Sequence, residues 1–349
     1  MFEKGKAIVF ERPGNAVVKK IRLAPLDDET VVVKTKYSGI SCGTELTVYD
    51  ALSYQTEVWY PTVPGYEEVG EVVYVGKKAS LTFSGEKLKV GDRVMANEVR
   101  YYPDCCASWG GQTEYAIKNS KTLGGRQDLC VKIPDNVSYK ESVIAYLAAV
   151  AKKGIDKVGI KRGENVLIIG AGTVGLSSMQ LAKLKGAGKV IAMDIHKTRL
   201  SRAKKFADHI IDSSKVDYIE QIKEYTDGKM ADVVIECSGD ADSARQVYKY
   251  VKDGGWEIDD DGCRIHFQGY YIWAIPIDPY QRWFTKNMRI SMSCQFKPGD
   301  KDAILKLISE KKFDAKSLFS DEYSVDDAPK AYKDLKKNRY EILKILLKW

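Results

Sequence analysis

The stretch NVLIIGAGTVGLSSMQ, Asn165 to Gln180, decides how the rest of the chain is read. An apolar run leads into Gly170, Ala171, Gly172, Thr173, Val174 and Gly175, and TVGLSSMQLAKLKG then takes up the apolar spacing of a helix. A bare GxGxxG is a weak signal, but here it stands between a strand and a helix. In that context the first glycine permits a tight turn, the second lets backbone N–H groups approach a pyrophosphate at the helix N-terminus, and the third lets helix and strand pack closely. The following strand, KVIAMD, ends in Asp194 about twenty residues on, where a carboxylate would accept hydrogen bonds from ribose hydroxyls. This constellation predicts a dinucleotide-binding domain with Gly170, Gly172, Thr173, Val174 and Gly175 at the pyrophosphate. The charge of Asp194 would repel a 2′-phosphate, so NAD is expected over NADP. Lys197 and Arg199 could receive that phosphate, although a solvated place at a helix start is their ordinary role.

Working outward, KTRLSRAKKF and KVDYIEQIKEYT read as helices and HIIDSS and ADVVIECSG as strands. Continuous apolar strands between helices argue for a doubly wound parallel sheet covered on both faces. DVVIECSG should deliver Cys237, Ser238 and Gly239 to the carboxyl edge of that sheet, and FQGYY should bring Gly269 and Tyr270 there, next to a nicotinamide. Upstream the texture differs. KAIVF, VVVKTKYSGI, EEVGEVVYVG, GDRVMA and TEYAI are short, β-branched and broken by glycine, which predicts a small barrel-like sheet. Downstream, DKDAILKLISEKK and SVDDAPKAYKDLKK resume as helices and YEILKILLKW closes with a strand. The fold class is α/β: a β-rich domain over residues 1–140, a Rossmann-type domain over 141–294, and a return to the first domain over 295–349.

With 349 residues, 44% hydrophobic and 30% charged, the chain has material for two cores. Its formal charge of +7 is spread along the length and interleaved with acids, which argues against a nucleic-acid footprint. The start MFEKGKAIVFERPG has no apolar h-region and no run of some eighteen apolar residues occurs, so a cytoplasmic protein without a membrane span is expected. Seven cysteines are odd in number, scattered and without CxxC spacing, as suits a reducing compartment. Cys105 and Cys106 are adjacent, a poor geometry for a structural zinc lobe.

The motifs SGISCGTE (Ser38 to Glu45), GYEEVGEVVYVG (Gly65 to Gly76), GDRV (Gly91 to Val94), GGQTEYAI (Gly110 to Ile117) and GAGTVG together resemble the medium-chain dehydrogenase/reductase superfamily over essentially the whole chain. SGISCGTE and the ending NRYEILKILLKW look most like its bacteriochlorophyllide a dehydrogenase-like subfamily. The resemblance implies a GroES-like catalytic domain beside the Rossmann domain, and dimerisation through the strand near RISMSCQF. In zinc members the metal takes a Cys from a GICGTD-like turn, a His from GHE, and a third ligand from the segment entering the nucleotide domain. Here the first corresponds to Cys42, the second is Tyr66, and SVIAYLAAVA offers no ligand nearby except Glu141. His196, His209 and His266, the only histidines, all fall in the nucleotide domain. Three ligands and an open position are wanted, so no catalytic metal is expected, with an arrangement of Cys42, Glu67 and water as the alternative.

A phenol can replace part of zinc's task by donating a hydrogen bond to the substrate oxygen and relaying its proton. The resemblance places Thr44 at the family's relay hydroxyl and Glu45 and Glu67 at its carboxylates behind the site, giving a zinc-free site with Tyr66 as acid/base; the competing reading makes Tyr66 a packed aromatic filling vacated space. Aromatic residues crowd the same domain: Tyr49, Tyr54, Trp59, Tyr60, Tyr101, Tyr102 and Trp109, with Tyr270, Tyr271 and Trp273 on the nucleotide side. Of these Tyr49, Trp59, Tyr101 and Trp109 are the expected substrate contacts, suited to a sugar, a polyol or a bulky hydroxyalkyl group. The expected activity is hydride transfer between a secondary alcohol or ketone and NAD. NADPH-dependent reduction of a C=C bond or quinone, a zinc enzyme with unusual ligands, and a non-catalytic dinucleotide-binding protein are the alternatives.

Overall fold

The computed structural model describes residues 2–52, 58–79, 82, 85–123, 125–215, 217–254, 262–272 and 274–349, so Tyr54 and Trp273 lie outside the described residues. The chain divides into two compact units, one comprising Met1–Tyr146 with Lys297–Trp349 and the other Leu147–Phe296. The division falls inside the helix Tyr139–Val158.

In the first unit the long strand Thr30–Ile40 is the organiser. It pairs antiparallel with Glu67–Val75 on one side, and on the other with Tyr115–Asn119 and Ile345–Lys348. Arg93–Met95 and Val131–Lys132 extend this sheet at one end and Asp321–Ser324 at the other. A second sheet runs in the order Asn15–Arg22, Lys4–Arg12, Thr62–Val63, Cys106–Ala107. Alternation along these strands sends valines and isoleucines inward, where Val31, Val33, Val72 and Val94 form one core. Ile40, Leu46, Tyr49, Tyr332 and Ile345 form another. Tyr49 therefore belongs to the core and not to a substrate surface. The short helix Thr44–Tyr49 turns it inward, where it stacks on Tyr332 at 5.8 Å and its hydroxyl donates to the Gly14 carbonyl at 2.5 Å.

The second unit is a six-stranded parallel sheet in the order His209–Asp212, Lys189–Asp194, Asn165–Ile169, Val233–Glu236, Arg264–Phe267, Arg289–Met292. Chain order reverses across Asn165–Ile169, the switch point at which such sheets bind ligands beyond the carboxyl ends of their strands. The central strands are buried along their length, as continuous apolar runs require when helices cover both faces. Among the described residues no helix is long and apolar enough to cross a membrane.

Candidate active site

In the second unit the glycine-rich turn joins strand Asn165–Ile169 to helix Thr173–Leu184. Gly170 adopts φ +87°, and a Cβ on Gly175 would stand 1.8 Å from the Gly170 carbonyl oxygen, so the third glycine is required for helix and strand to touch. A Cβ on Gly172 would meet nothing within 4 Å. That open helix N-terminus is a cradle of the kind that holds a pyrophosphate. Asp194, buried at its strand end, accepts from the Ala171 N–H at 2.8 Å and the His196 N–H at 2.9 Å, with the Arg199 guanidinium 4.0 Å away. The carboxylate is thus fixed beside the glycine-rich turn, and these residues fit a dinucleotide.

Of the next strand end, Ser238 and Gly239 form the turn, Gly239 at φ +72° and packed against the Tyr270 backbone. Cys237 is half-buried, with its thiol 4.0 Å from the Ser178 hydroxyl, and desolvation pushes its pKa up. Gly269 sits against the Gly239 backbone. The sequence reading passed over Glu236, whose buried carboxyl gathers the turn. It accepts from the Ser238 N–H at 3.2 Å, the Ser243 hydroxyl at 3.3 Å and the hydroxyls of Ser238 and Tyr271. Burial raises its pKa to about 7. A carboxylate inside the apolar run VVIE was the available signal.

In the first unit Tyr66 follows Gly65, which turns the chain at φ +89°. The Tyr66 hydroxyl is hydrogen-bonded to the Ser41 hydroxyl and lies 3.1 Å from that of Thr44. Its ring stacks on Tyr146 at 4.6 Å and meets Trp109 edge-on at 5.5 Å. Tyr66 is only 6% exposed, whereas Thr44 is half-buried. Burial, followed by the charge of Glu67, raises the phenol's pKa far above its ordinary value, so the ring stays neutral.

The two carboxylates behind this group are buried and fully engaged. Glu45 accepts from the Ser41 N–H at 2.8 Å, the Tyr332 hydroxyl at 2.5 Å and the Gln112 amide at 3.3 Å, reaching back over the first turn of its own helix much as a capping box does. Burial raises it to about 7. Glu67 is held by Lys344 at 2.6 and 2.9 Å, and Lys344 also donates to the Ile40 carbonyl at 2.9 Å. Burial raises the Glu67 carboxyl and the ammonium opposes that rise. Ser41, Gln112, Tyr146, Tyr332 and Lys344 were not singled out from the sequence. Tyr146 sits in the run SVIAYLAAVA, which reads as core helix; Ser41 lies in the turn just before Thr44, and Gln112, Tyr332 and Lys344 come from far along the chain, Tyr332 on the helix Ala328–Lys337.

The Cys42 thiol lies 3.4 Å from the Leu343 carbonyl and 3.8 Å from that of Ile40. Glu141 accepts from the Ser138 N–H and hydroxyl at 3.0 and 2.6 Å, at the start of its helix. Among the described residues no three His, Cys, Asp or Glu side chains are grouped to hold a metal. A thiol directed at carbonyls, a neutral phenol and a carboxylate neutralised by lysine do not make the donor set that a catalytic zinc takes. Of the expected substrate aromatics only Trp109 is placed against Tyr66; Trp59 and Tyr101 are exposed at 53% and 49%.

Residues 27–152 match the family described as alcohol dehydrogenase GroES-like domain, and residues 173–256 match zinc-binding dehydrogenase. A probable D-xylulose reductase A of Aspergillus clavatus is 31% identical over 89% of this chain and 87% of its own length. A sorbitol dehydrogenase of Halalkalibacterium halodurans is 29% identical over 98% of each chain. The crystal structure of 2R,3R-butanediol dehydrogenase from Bacillus subtilis superposes with a TM-score of 0.82 at 23% identity, covering 99% of both chains.

Proposed function

This chain belongs to the medium-chain dehydrogenase/reductase superfamily, as an oxidoreductase acting on CH–OH groups, and from that premise we propose that it moves hydride between NAD and a secondary alcohol or ketone of the polyol or sugar class, with Tyr66 rather than a catalytic zinc at the substrate oxygen. The observation that carries this is the hydroxyl group itself. A neutral phenol stands between two aliphatic hydroxyls, one of them on a half-buried threonine.

Because burial disfavours the phenolate, the tyrosine works as a relay and not as a stored base. In oxidation Tyr66 takes the substrate's hydroxyl proton as it gives its own to Thr44, which passes one to water; in reduction the order reverses and the phenol donates to the carbonyl oxygen. Ser41 fixes the phenol's orientation, and the Glu67–Lys344 pair supports the strand from behind. The dinucleotide, when bound, accepts or gives hydride at its nicotinamide C4. Asp194 favours NAD, because a 2′-phosphate would meet a buried carboxylate. The polyol class draws support from the relatives named as D-xylulose reductase and sorbitol dehydrogenase and from the half-buried Trp109 beside Tyr66, an aromatic ring of the kind that stacks on a sugar's apolar face. We place the protein in the cytoplasm as a homodimer joined at the strand Arg289–Met292.

The test is Tyr66→Phe, assayed for NADH-dependent reduction of xylulose and related ketoses. The variant should bind NADH as the wild type does and lose about 10²–10⁴-fold in kcat. Unchanged turnover would remove the tyrosine from the chemistry.

A further inference from the structure

We propose that Gln112 is a positioning residue of this site, fastening the turn that carries Ser41 and Thr44 to the turn that carries Tyr66. The motif GGQTEYAI otherwise supplies strand and turn. The Gln112 side chain is fully buried and its amide is used at both ends. Oε1 accepts from the Ser38 hydroxyl at 2.6 Å, while Nε2 donates to the Gly39 carbonyl at 3.0 Å and to Glu45 Oε2 at 3.3 Å. Only one orientation of the amide satisfies these partners, because reversing it would set Oε1 against a carbonyl and a carboxylate, both acceptors.

The main chain and the aliphatic stem reach the other turn. The Gln112 N–H donates to the Pro64 carbonyl at 2.9 Å and the Gly111 N–H to the Gly65 carbonyl at 2.7 Å. The stem lies so close to Gly65 that a Cβ there would stand 2.5 Å from Gln112 Cγ, so the residue preceding Tyr66 is seated directly on this side chain. Through Glu45 the clamp continues to the Ser41 N–H at 2.8 Å, and through Ser38 to the Trp349 indole N–H, also 2.8 Å. One side chain therefore sets the spacing between the backbones that present Ser41 and Tyr66. A displacement of about 1 Å between reacting groups can lower a rate about 100-fold.

This inference rests on Tyr66 acting at the substrate oxygen, and the experiment separates the two. It compares Gln112→Met, Gln112→Glu, Tyr66→Phe and Tyr66→Phe/Gln112→Met in NADH-dependent ketose reduction, with thermal midpoints followed over pH. Gln112→Met keeps the length and removes the hydrogen bonds; it should lower kcat about 10- to 100-fold with KM and NADH affinity little changed. The double variant should be no slower than Tyr66→Phe alone, because Gln112 acts through that phenol. In Gln112→Glu the new carboxyl must be protonated to donate to Glu45, whose other neighbours Tyr332, Tyr66, Glu67 and Lys344 are retained. Its kcat and its thermal midpoint should both recover towards wild type as pH falls from about 8 to about 5.5, since a buried carboxyl facing a carboxylate binds its proton more tightly folded than unfolded. Wild-type kcat in Gln112→Met, multiplying losses in the double variant, or a thermal midpoint of Gln112→Glu that does not recover on acidification would each overturn the clamp. Full turnover by Tyr66→Phe would instead overturn the role of the phenol, and the clamp is then judged by the midpoints.

Discussion

Burial acts on Tyr66, Glu45 and Glu68 in the same direction, towards the neutral form, but the three differ in what partners them. Glu45 has three donors and Tyr66 two hydroxyls, whereas among the described residues Glu68 meets the Thr35 hydroxyl at 3.0 Å and its second oxygen has no partner in the core. Burial lifts its carboxyl to about 8. The folded state therefore keeps a proton that the unfolded chain gives up near pH 4.5. The stability linked to this group is fully present below that pH and is lost as pH rises through about 8. Glu68→Gln replaces the protonated acid with an amide of the same shape and abolishes that loss. In denaturant titrations the variant should match wild type near pH 4.5 and exceed it at pH 9 by roughly a few kcal/mol. A constant difference across the range would mean that Glu68 is ionised in the fold.

At the scale of the element, the glycine-rich turn was fully legible because everything it needs is local: a strand, three glycines and a helix within the twenty residues Asn165–Leu184. The three glycines do different work, and this separates their variants. Gly175→Ala drives a methyl into the Gly170 carbonyl and should lower the thermal midpoint of the second unit as well as NADH affinity. Gly172→Ala places its methyl in open space, so the fold should be unaffected while NADH binding weakens about tenfold or more, as fluorescence titration would report. Equal affinity for Gly172→Ala and wild type would mean that the pyrophosphate does not lie against this turn. The catalytic group was legible only in part. Tyr66 and Thr44 stood out against the family pattern, but Gln112, Tyr332 and Lys344 reach Glu45 and Glu67 from far along the chain, and no local pattern records those pairings. Tyr146 was hidden by its setting, since a tyrosine in an apolar helix reads as packing. Tyr49 misled in the opposite way, because aromatic content alone does not say which face of the short helix Thr44–Tyr49 is buried.

Across the whole molecule, the sequence marked out both units from their textures, β-branched alternation in one and strand–helix alternation in the other. Pairing order within each sheet lay beyond it, because the same strands could be ordered in several ways. Among the described residues the six-stranded sheet ends at Arg289–Met292, an edge strand on which Ile290 and Met292 are 39% and 61% exposed. Such an edge invites pairing with another chain. Light scattering should give a dimer, and Ile290→Pro, which removes a donor and stiffens the strand, should give a monomer; a wild-type monomer would place the edge elsewhere in the protein's working life. Alcohol oxidation here is proposed to run through a buried hydroxyl group in place of a metal. Its most direct test is the NAD-dependent turnover of a polyol by protein stripped with a strong zinc chelator, with zinc measured in the same sample. If the phenol carries the proton, kcat is retained at zinc contents far below one per chain and is lost in Tyr66→Phe. Activity that falls with the zinc and returns when zinc is restored would contradict it.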